Sequence, residues 1–406
     1  MIAASILFVM SFIGIAGAFN ALRPANPDRH PLLRTKWLSQ LTVAEAVPVR
    51  ITIQALLVAL LVWAGALDHT IGRIGLWLTI ATWVGYGVIQ LLALRTRSTL
   101  THALEEVGIE SGGFAHVDWR RVLVAYPFRV PSDLERIESI EYAPGLELDL
   151  YRRPDTAGPV PALLQIHGGS WSGGNRRQQG RPLVHRLARN GWICVAASYS
   201  LSPDATYPDH IVDLKRVLAW MRREGAEYGI DPGRIAVSGG SAGGHLAAVL
   251  ALTPDVAALQ PGFEAADVSV QAAVPLYGIY DFLNRNRTRD DWPFIPNNVM
   301  KARPDEDPER YRLASPIDLV RPDAPPFFVI HGAGDTLVPV REARPFVAAL
   351  RSTSQAPTAY AEVPDANHAF DVLDSQRAHY VISAIERFLD AVMTPARFRP
   401  TTDGAQ

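Results

Sequence analysis

The chain has 406 residues, 48% hydrophobic and 20% charged, with a formal net charge of −2. This composition excludes a wholly disordered chain and leaves no basic surplus for binding nucleic acid. Its single cysteine, Cys194, excludes an intramolecular disulfide and a cysteine-built metal cluster, and its apolar setting in Trp192-Ile193-Cys194-Val195 reads as core.

In chain order, residues 1–19 are apolar throughout, 51–67 are apolar apart from Thr52 and Gln54, and 74–94 form a longer uncharged run. Each approaches or reaches the roughly 20 residues that a helix needs to cross about 30 Å of hydrocarbon. Residues 1–95 are therefore predicted to be a membrane region with three transmembrane helices in contact with the lipid bilayer. Trp63, Trp77, Trp83 and Tyr86 suit the membrane interfaces. No Lys or Arg precedes the first run, which favours an uncleaved span over a signal peptide. Arg23, Arg29, Arg34, Lys36 and Arg50 lie in the first connection, against Arg73 alone in the second. The positive-inside rule thus predicts an integral membrane protein with everything after Leu94 in the cytoplasm. Residues 96–132 read as a linker with some helix. Trp119-Arg120-Arg121 would suit a membrane surface there, and a packed connector fits equally well.

A soluble domain is predicted over 133–395. Ile137–Tyr142 and Leu146–Tyr151 alternate apolar and polar residues about Ala143-Pro144-Gly145, a hairpin signature. Later strands are predicted at 161–166, 192–197, 235–237, 272–276, 327–330 and 360–363, and these lack alternation. Amphipathic helical stretches separate them, and a last helix spans about 375–392. Unalternating strands separated by helices predict an α/β fold: a mostly parallel eight-stranded sheet covered on both faces. Residues 281–320 are long, charged and irregular, which reads as a small cap. Residues 396–406 read as a disordered tail.

Functional groups in such sheets gather outside the carboxyl ends of the strands. Gly239-Gly240-Ser241-Ala242-Gly243 fits G-x-S-x-G between a strand and a helix, the setting of a nucleophile elbow. Asp335 and His368 follow two later strands, so the chain order is Ser, Asp, His. A serine hydroxyl is a poor nucleophile until a neutral imidazole takes its proton, and a carboxylate holds that imidazole in the right tautomer. An oxyanion would need preorganised backbone N–H donors, expected from Gly168, Gly169 and Ala242.

These motifs resemble the α/β-hydrolase superfamily, within it the hormone-sensitive-lipase-like and carboxylesterase/feruloyl-esterase-like enzymes. The resemblance covers roughly residues 137–392. It is carried by His167-Gly168-Gly169-Ser170-Trp171, Asp231–Gly244, His331-Gly332-Ala333-Gly334-Asp335 and Asn367-His368-Ala369-Phe370. The layout is similar to that of membrane-anchored actinobacterial-type lipases and esterases. The resemblance implies Ser241 as nucleophile, Asp335 as acid and His368 as base, with neither metal nor organic cofactor. Ser170 stands where the family loop often has a third glycine, and Tyr199–Asp204 departs from a stretch common in the lipase branch.

Trp171, Trp292 and Phe294 are candidates for the substrate pocket. His245, one turn past Ser241, reads as core, and Asp365 and Asp371 are rival acids. The leading expectation is a membrane-anchored carboxylic ester hydrolase acting on small-molecule or lipid esters. An amidase, arylformamidase or peptidase could use the same triad. A non-catalytic receptor or scaffold is disfavoured because all three triad residues are present.

Overall fold

The computed structural model describes residues 1–23, 36–110, 112–114, 117–124, 130–289 and 292–394. The expected tail at 396–406 lies outside the described residues. The N-terminal helices are α1 (Ile2–Leu22), α2 (Lys36–Ala44), α3 (Val47–Trp63) and α4 (Thr70–Ala93), followed by α5 (Arg95–Glu105) and α6 (Trp119–Val124).

Helices α1 and α4 run parallel and pack directly together, because Phe8 meets Gly75 while Ser11 meets Thr79 and Ala18 meets Gly85. Small and hydroxylated residues allow this approach: a Cβ on Gly75 would stand 2.9 Å from the Phe8 backbone nitrogen. Ser11 and Thr79 share a buried hydroxyl contact of 2.7 Å, the kind of interface that joins helices in an apolar medium. Two helices, Ile2–Leu22 and the nearly continuous Thr70–Glu105, are long and apolar enough to cross a membrane. The run expected at 51–67 is displaced. Its helix occupies Val47–Trp63, only 17 residues, and the chain then turns through Gly65 at φ 77°. At about 1.5 Å per residue it is the shortest of the three.

The eight strands are β1 (Glu135–Ala143), β2 (Leu146–Arg152), β3 (Val160–Ile166), β4 (Ile193–Ala197), β5 (Ile230–Gly240), β6 (Ala272–Leu276), β7 (Phe327–Gly332) and β8 (Thr358–Val363). They form one sheet in the order β1-β2-β4-β3-β5-β6-β7-β8. β2 is antiparallel to β1 and β4, and every later pairing is parallel. β4, β6 and β7 are buried along their whole length, which accounts for their unalternating apolar sequence. The intervening helices are α7 (Arg181–Arg189), α8 (Asp209–Arg223), α9 (Ala242–Leu252), α10 (Pro308–Leu313), α11 (Ala343–Thr353) and α12 (Gln376–Met393).

One core layer packs α8, α9 and α11 on the sheet, and the other packs α5, α7 and α12. The presence of α5 in that second layer revises the reading of 96–132 as a linker. Leu100, Ala103, Leu104 and Ile109 are buried with Phe328 and Phe388. Burying two leucines contributes roughly 3–6 kcal/mol, so this segment is a structural part of the sheet domain.

The cap-like segment at 281–320 is also more ordered than its composition suggests. It contains a π-helical turn at Ile295–Met300 and α10. Ile295, Val299, Met300 and Tyr311 reach the main core. Tyr207 fixes it from outside, donating its hydroxyl to Leu313 O at 2.6 Å and its amide to Val299 O at 2.8 Å.

Candidate active site

Ser241 stands between the end of β5 and the start of α9, with φ 60° and ψ −121°. A non-glycine residue held there is strained, and the surroundings enforce the strain. Its N–H donates to Leu276 O at 3.0 Å on the neighbouring strand. A Cβ on Gly239 would lie 2.5 Å from Gly243 O, and one on Gly243 would lie 2.3 Å from Ile166 O. Only glycines let strand, helix and the β3 end meet this closely, so the serine is raised at the strand end.

Asp335, after β7, is buried, and both of its oxygens are used. Oδ1 accepts from Leu337 N at 2.9 Å and Val338 N at 2.8 Å, and Oδ2 faces His368 Nδ1 at 2.7 Å. A carboxylate can only accept, so Nδ1 donates, and in the neutral ring Nε2 is the nitrogen that can take up a proton. Asn367 ties the two loops together: its Oδ1 accepts from Thr336 N at 3.1 Å and His368 N at 2.7 Å. His331 braces the acid loop by donating from Nε2 to Val338 O at 2.8 Å. Burial holds its pKa below the ordinary histidine value.

Tyr277 links His368 to the serine turn. Its ring packs edge-on to His368 with centroids 4.8 Å apart, and a Cβ on Gly240 would stand 2.5 Å from its hydroxyl. That hydroxyl donates to Asp371, one of the two rival acids. Asp371 is engaged with Tyr277, and burial raises its pKa. Asp365 is half exposed and faces Arg95 at 4.0 Å.

The glycine loop after β3 lies beside the serine, since a Cβ on Gly168 would be 3.2 Å from Ser241 Cβ. Here the expected oxyanion donors need correction. Gly168 N donates to Gln179 Oε1 at 2.7 Å, so this N–H is occupied by the protein's own side chain. The N–H groups of Gly169, Ser170 and Ala242 have no acceptor among the described residues. The loop carrying Gln179 is itself anchored, because Arg176 Nε and Arg177 Nε both donate to the buried Asp149 on β2, at 3.0 and 2.5 Å. His167 shapes the start of the loop. It stacks on Tyr199 at 4.4 Å, and burial lowers its pKa to about 4.

Trp171 is buried, with its indole N–H donating to His245 Nδ1 at 3.1 Å. His245 in turn donates from Nε2 to Ala314 O at 2.8 Å, and burial pushes its pKa down to about 3. His245 is thus a neutral clip joining the glycine loop, α9 and the cap. Trp171 packs at 5.3 Å on Phe282 and at 6.5 Å on Trp292. Trp292 and Phe282 line a cavity of about 400 Å³ with Asn284, Arg289, Pro296 and Tyr311. Phe294 stacks on Trp292 at 5.2 Å. No group of three or more His, Cys, Asp or Glu residues suited to holding a metal occurs among the described residues.

Fold and site together define an α/β-hydrolase with a serine at its strand-to-helix turn. The BD-FAE family model matches residues 148–350, half of the chain, and the chain belongs to that family. Over 256 residues it is 50% identical to the probable carboxylic ester hydrolase LipM of Mycobacterium tuberculosis, covering 62% of this chain and 59% of that protein. Over 259 residues it is 47% identical to the esterase LipQ of the same organism, covering 62% of each. The match thus spans about three fifths of the length of these curated relatives. Among solved structures, a thermophilic esterase from Thermogutta terrifontis aligns with a TM-score of 0.55 at 25% identity, covering 66% of this chain and 98% of that one.

Proposed function

We propose that the chain is a membrane-anchored serine hydrolase that cleaves carboxylic esters through an acyl-enzyme on Ser241. The observation that carries this reading is the buried 2.7 Å bond from His368 Nδ1 to Asp335, joined through Tyr277 to the turn that presents Ser241. The names of the M. tuberculosis relatives support the ester chemistry.

Ser241 Oγ attacks the ester carbonyl as its proton passes to His368 Nε2, and the tetrahedral oxyanion is met by the N–H groups of Gly169, Ser170 and Ala242. The C–O bond to the alcohol then breaks, and His368 gives the proton to the departing alkoxide. Water, deprotonated by the same Nε2, attacks the acyl-enzyme, releasing the carboxylic acid and restoring Ser241. Trp292 borders the space for one arm of the ester, with Phe294 stacked behind it, while Trp171 contributes chiefly packing.

The N-terminal helices serve as the anchor. Leu56, Leu60, Trp77, Val84 and Leu91 are all more than half exposed on their outer faces, an apolar surface suited to lipid. The excess of Arg and Lys in the first connection puts the hydrolase domain on the cytoplasmic side. An anchor there favours esters that partition into lipid.

Labelling with a fluorophosphonate, before and after Ser241→Ala, tests the reading. The parent is expected to label and the variant to lose labelling together with about 10⁶-fold of its turnover. Equal labelling of both would remove Ser241 from the mechanism.

A further inference from the structure

The loop bearing His368 is held from two sides. On the hydrolase side, Asp335 and Asn367 hold His368 and its neighbour, and Tyr277 holds Asp371. On the other side the partners come from the N-terminal helices. Ser375 Oγ donates to Glu45 Oε2 at 2.7 Å while capping α12 by accepting from Ala378 N at 3.1 Å. Arg377 Nη1 donates to Glu45 Oε1. Arg95, at the exit of α4, faces Asp365 at 4.0 Å.

Glu45 lies two residues before α3 begins, and Arg95 two residues after α4 ends. Both therefore stand at the same end of the helical assembly, and the histidine loop is docked against that end. The two ties differ in strength. Arg95 and Asp365 are both well exposed, and such pairs are worth little. Glu45 and Arg377 are only 4% and 2% exposed, and a charge buried that deeply is costly unless its partner stays in place. The influence of Glu45 extends along the loop: after burial itself, its negative charge is among the causes that raise the pKa of Asp371, the anchor for Tyr277.

We propose that Glu45, acting through Ser375 and Arg377, is a positioning residue for His368, so that the N-terminal helices complete the active site besides tethering it. The inference rests on the serine-hydrolase reading above. It uses residues 332 positions apart, and it assigns to the helical region a part in turnover that an inert anchor would lack.

The test uses the full chain in detergent, with a soluble short-chain nitrophenyl ester so that substrate delivery from lipid plays no part. Glu45→Leu with Arg377→Met removes both charges together, which avoids leaving either one orphaned. Turnover is counted per fluorophosphonate-labelled site, so that misfolded protein does not enter. The expected result is a kcat lower by about 10- to 100-fold, the scale of a misplacement near 1 Å, with KM within about twofold of the parent and slower labelling in proportion. A kcat per labelled site equal to that of the parent overturns the proposal.

Ser375→Gly carries the same test if the double variant does not fold, because glycine is itself an acceptable N-cap. It cuts the tie nearest His368 and is expected to lower kcat with KM unchanged, and an unchanged kcat again overturns the proposal. A parent that does not label at all overturns the hydrolase reading and this inference together. A labelled parent with indifferent variants overturns only this inference.

Discussion

The N-terminal helices and the sheet domain are built with opposite polarity. In the sheet domain Leu, Ile, Val and Phe are inside, while arginines and carboxylates pair across the surface, as in Arg321 with Asp323 and Arg344 with Glu362. Among the helices the buried positions include Ser11, Gly14, Gly75, Thr79 and Thr82, while Leu56, Trp77, Val84 and Leu91 face outward. Burying apolar surface drives the first arrangement. That drive is absent where the surroundings are as apolar as leucine, and close packing of small residues then decides helix association. Under the proposed anchoring the two parts would answer to different solvents, and Glu45 with Arg377 marks where they meet.

Three measurements can break or sharpen this contrast. The largest effect belongs to the sheet domain alone. Asp335→Asn keeps the side chain's shape but disturbs the tautomer of His368, and kcat should fall by about 10⁴-fold, read from ester hydrolysis. The helices should stay in the membrane fraction unchanged.

A smaller effect separates the two surfaces. Val84→Asp, on the exposed middle of α4, should cost about 3 kcal/mol of membrane insertion, seen as loss of resistance to alkaline extraction. Gln355→Asp, on the exposed surface of the sheet domain, should change stability by no more than about 0.5 kcal/mol. Equal tolerance at both positions would dissolve the contrast.

The smallest effect concerns acid. Burial lowers the pKa of His167 and His210 to about 4 and of His185 and His245 to about 3. These groups are neutral in the folded domain and take up protons on unfolding near or below pH 6.5. Their contribution is fully present above about pH 6.5 and is lost as pH falls through that window toward the folded values. Each can add up to about 1.4 kcal/mol per pH unit to the slope. Thermal unfolding of the sheet domain should therefore fall in temperature from pH 7 to pH 5, and a flat profile would contradict the neutral, buried assignment.

Much of the candidate site was legible because its signals are local. Ser241, Asp335 and His368 each follow a short apolar strand within a few residues, and strand ends in such sheets converge. The later strands were legible because a segment buried on both faces has to be apolar along its length, and β1 and β2 because a half-exposed strand alternates. What stayed hidden depends on side chains that meet across long stretches of sequence. The two loops can be seen to face each other only once β7 and β8 pair, and only then does Tyr277 meet Asp371. Gln179 is an unremarkable glutamine until the loop folds back to occupy Gly168 N, which moves the expected oxyanion donors one residue along. Residues 96–110 look like a connector because nine of their fifteen residues are polar, and only docking against α12 shows that Leu100 and Leu104 belong to the core.

By itself, the amino-acid sequence determined the strand order along the chain, the sharp turn at Ser241, and the apolar length of the first and third helices. Each is set by steric and hydrophobic preferences within one short segment. The tertiary structure alone decided which N–H groups remain open and that Glu45 reaches the histidine loop. These depend on where hydrogen-bonding groups come to rest after burial, when every polar atom removed from water must find a partner.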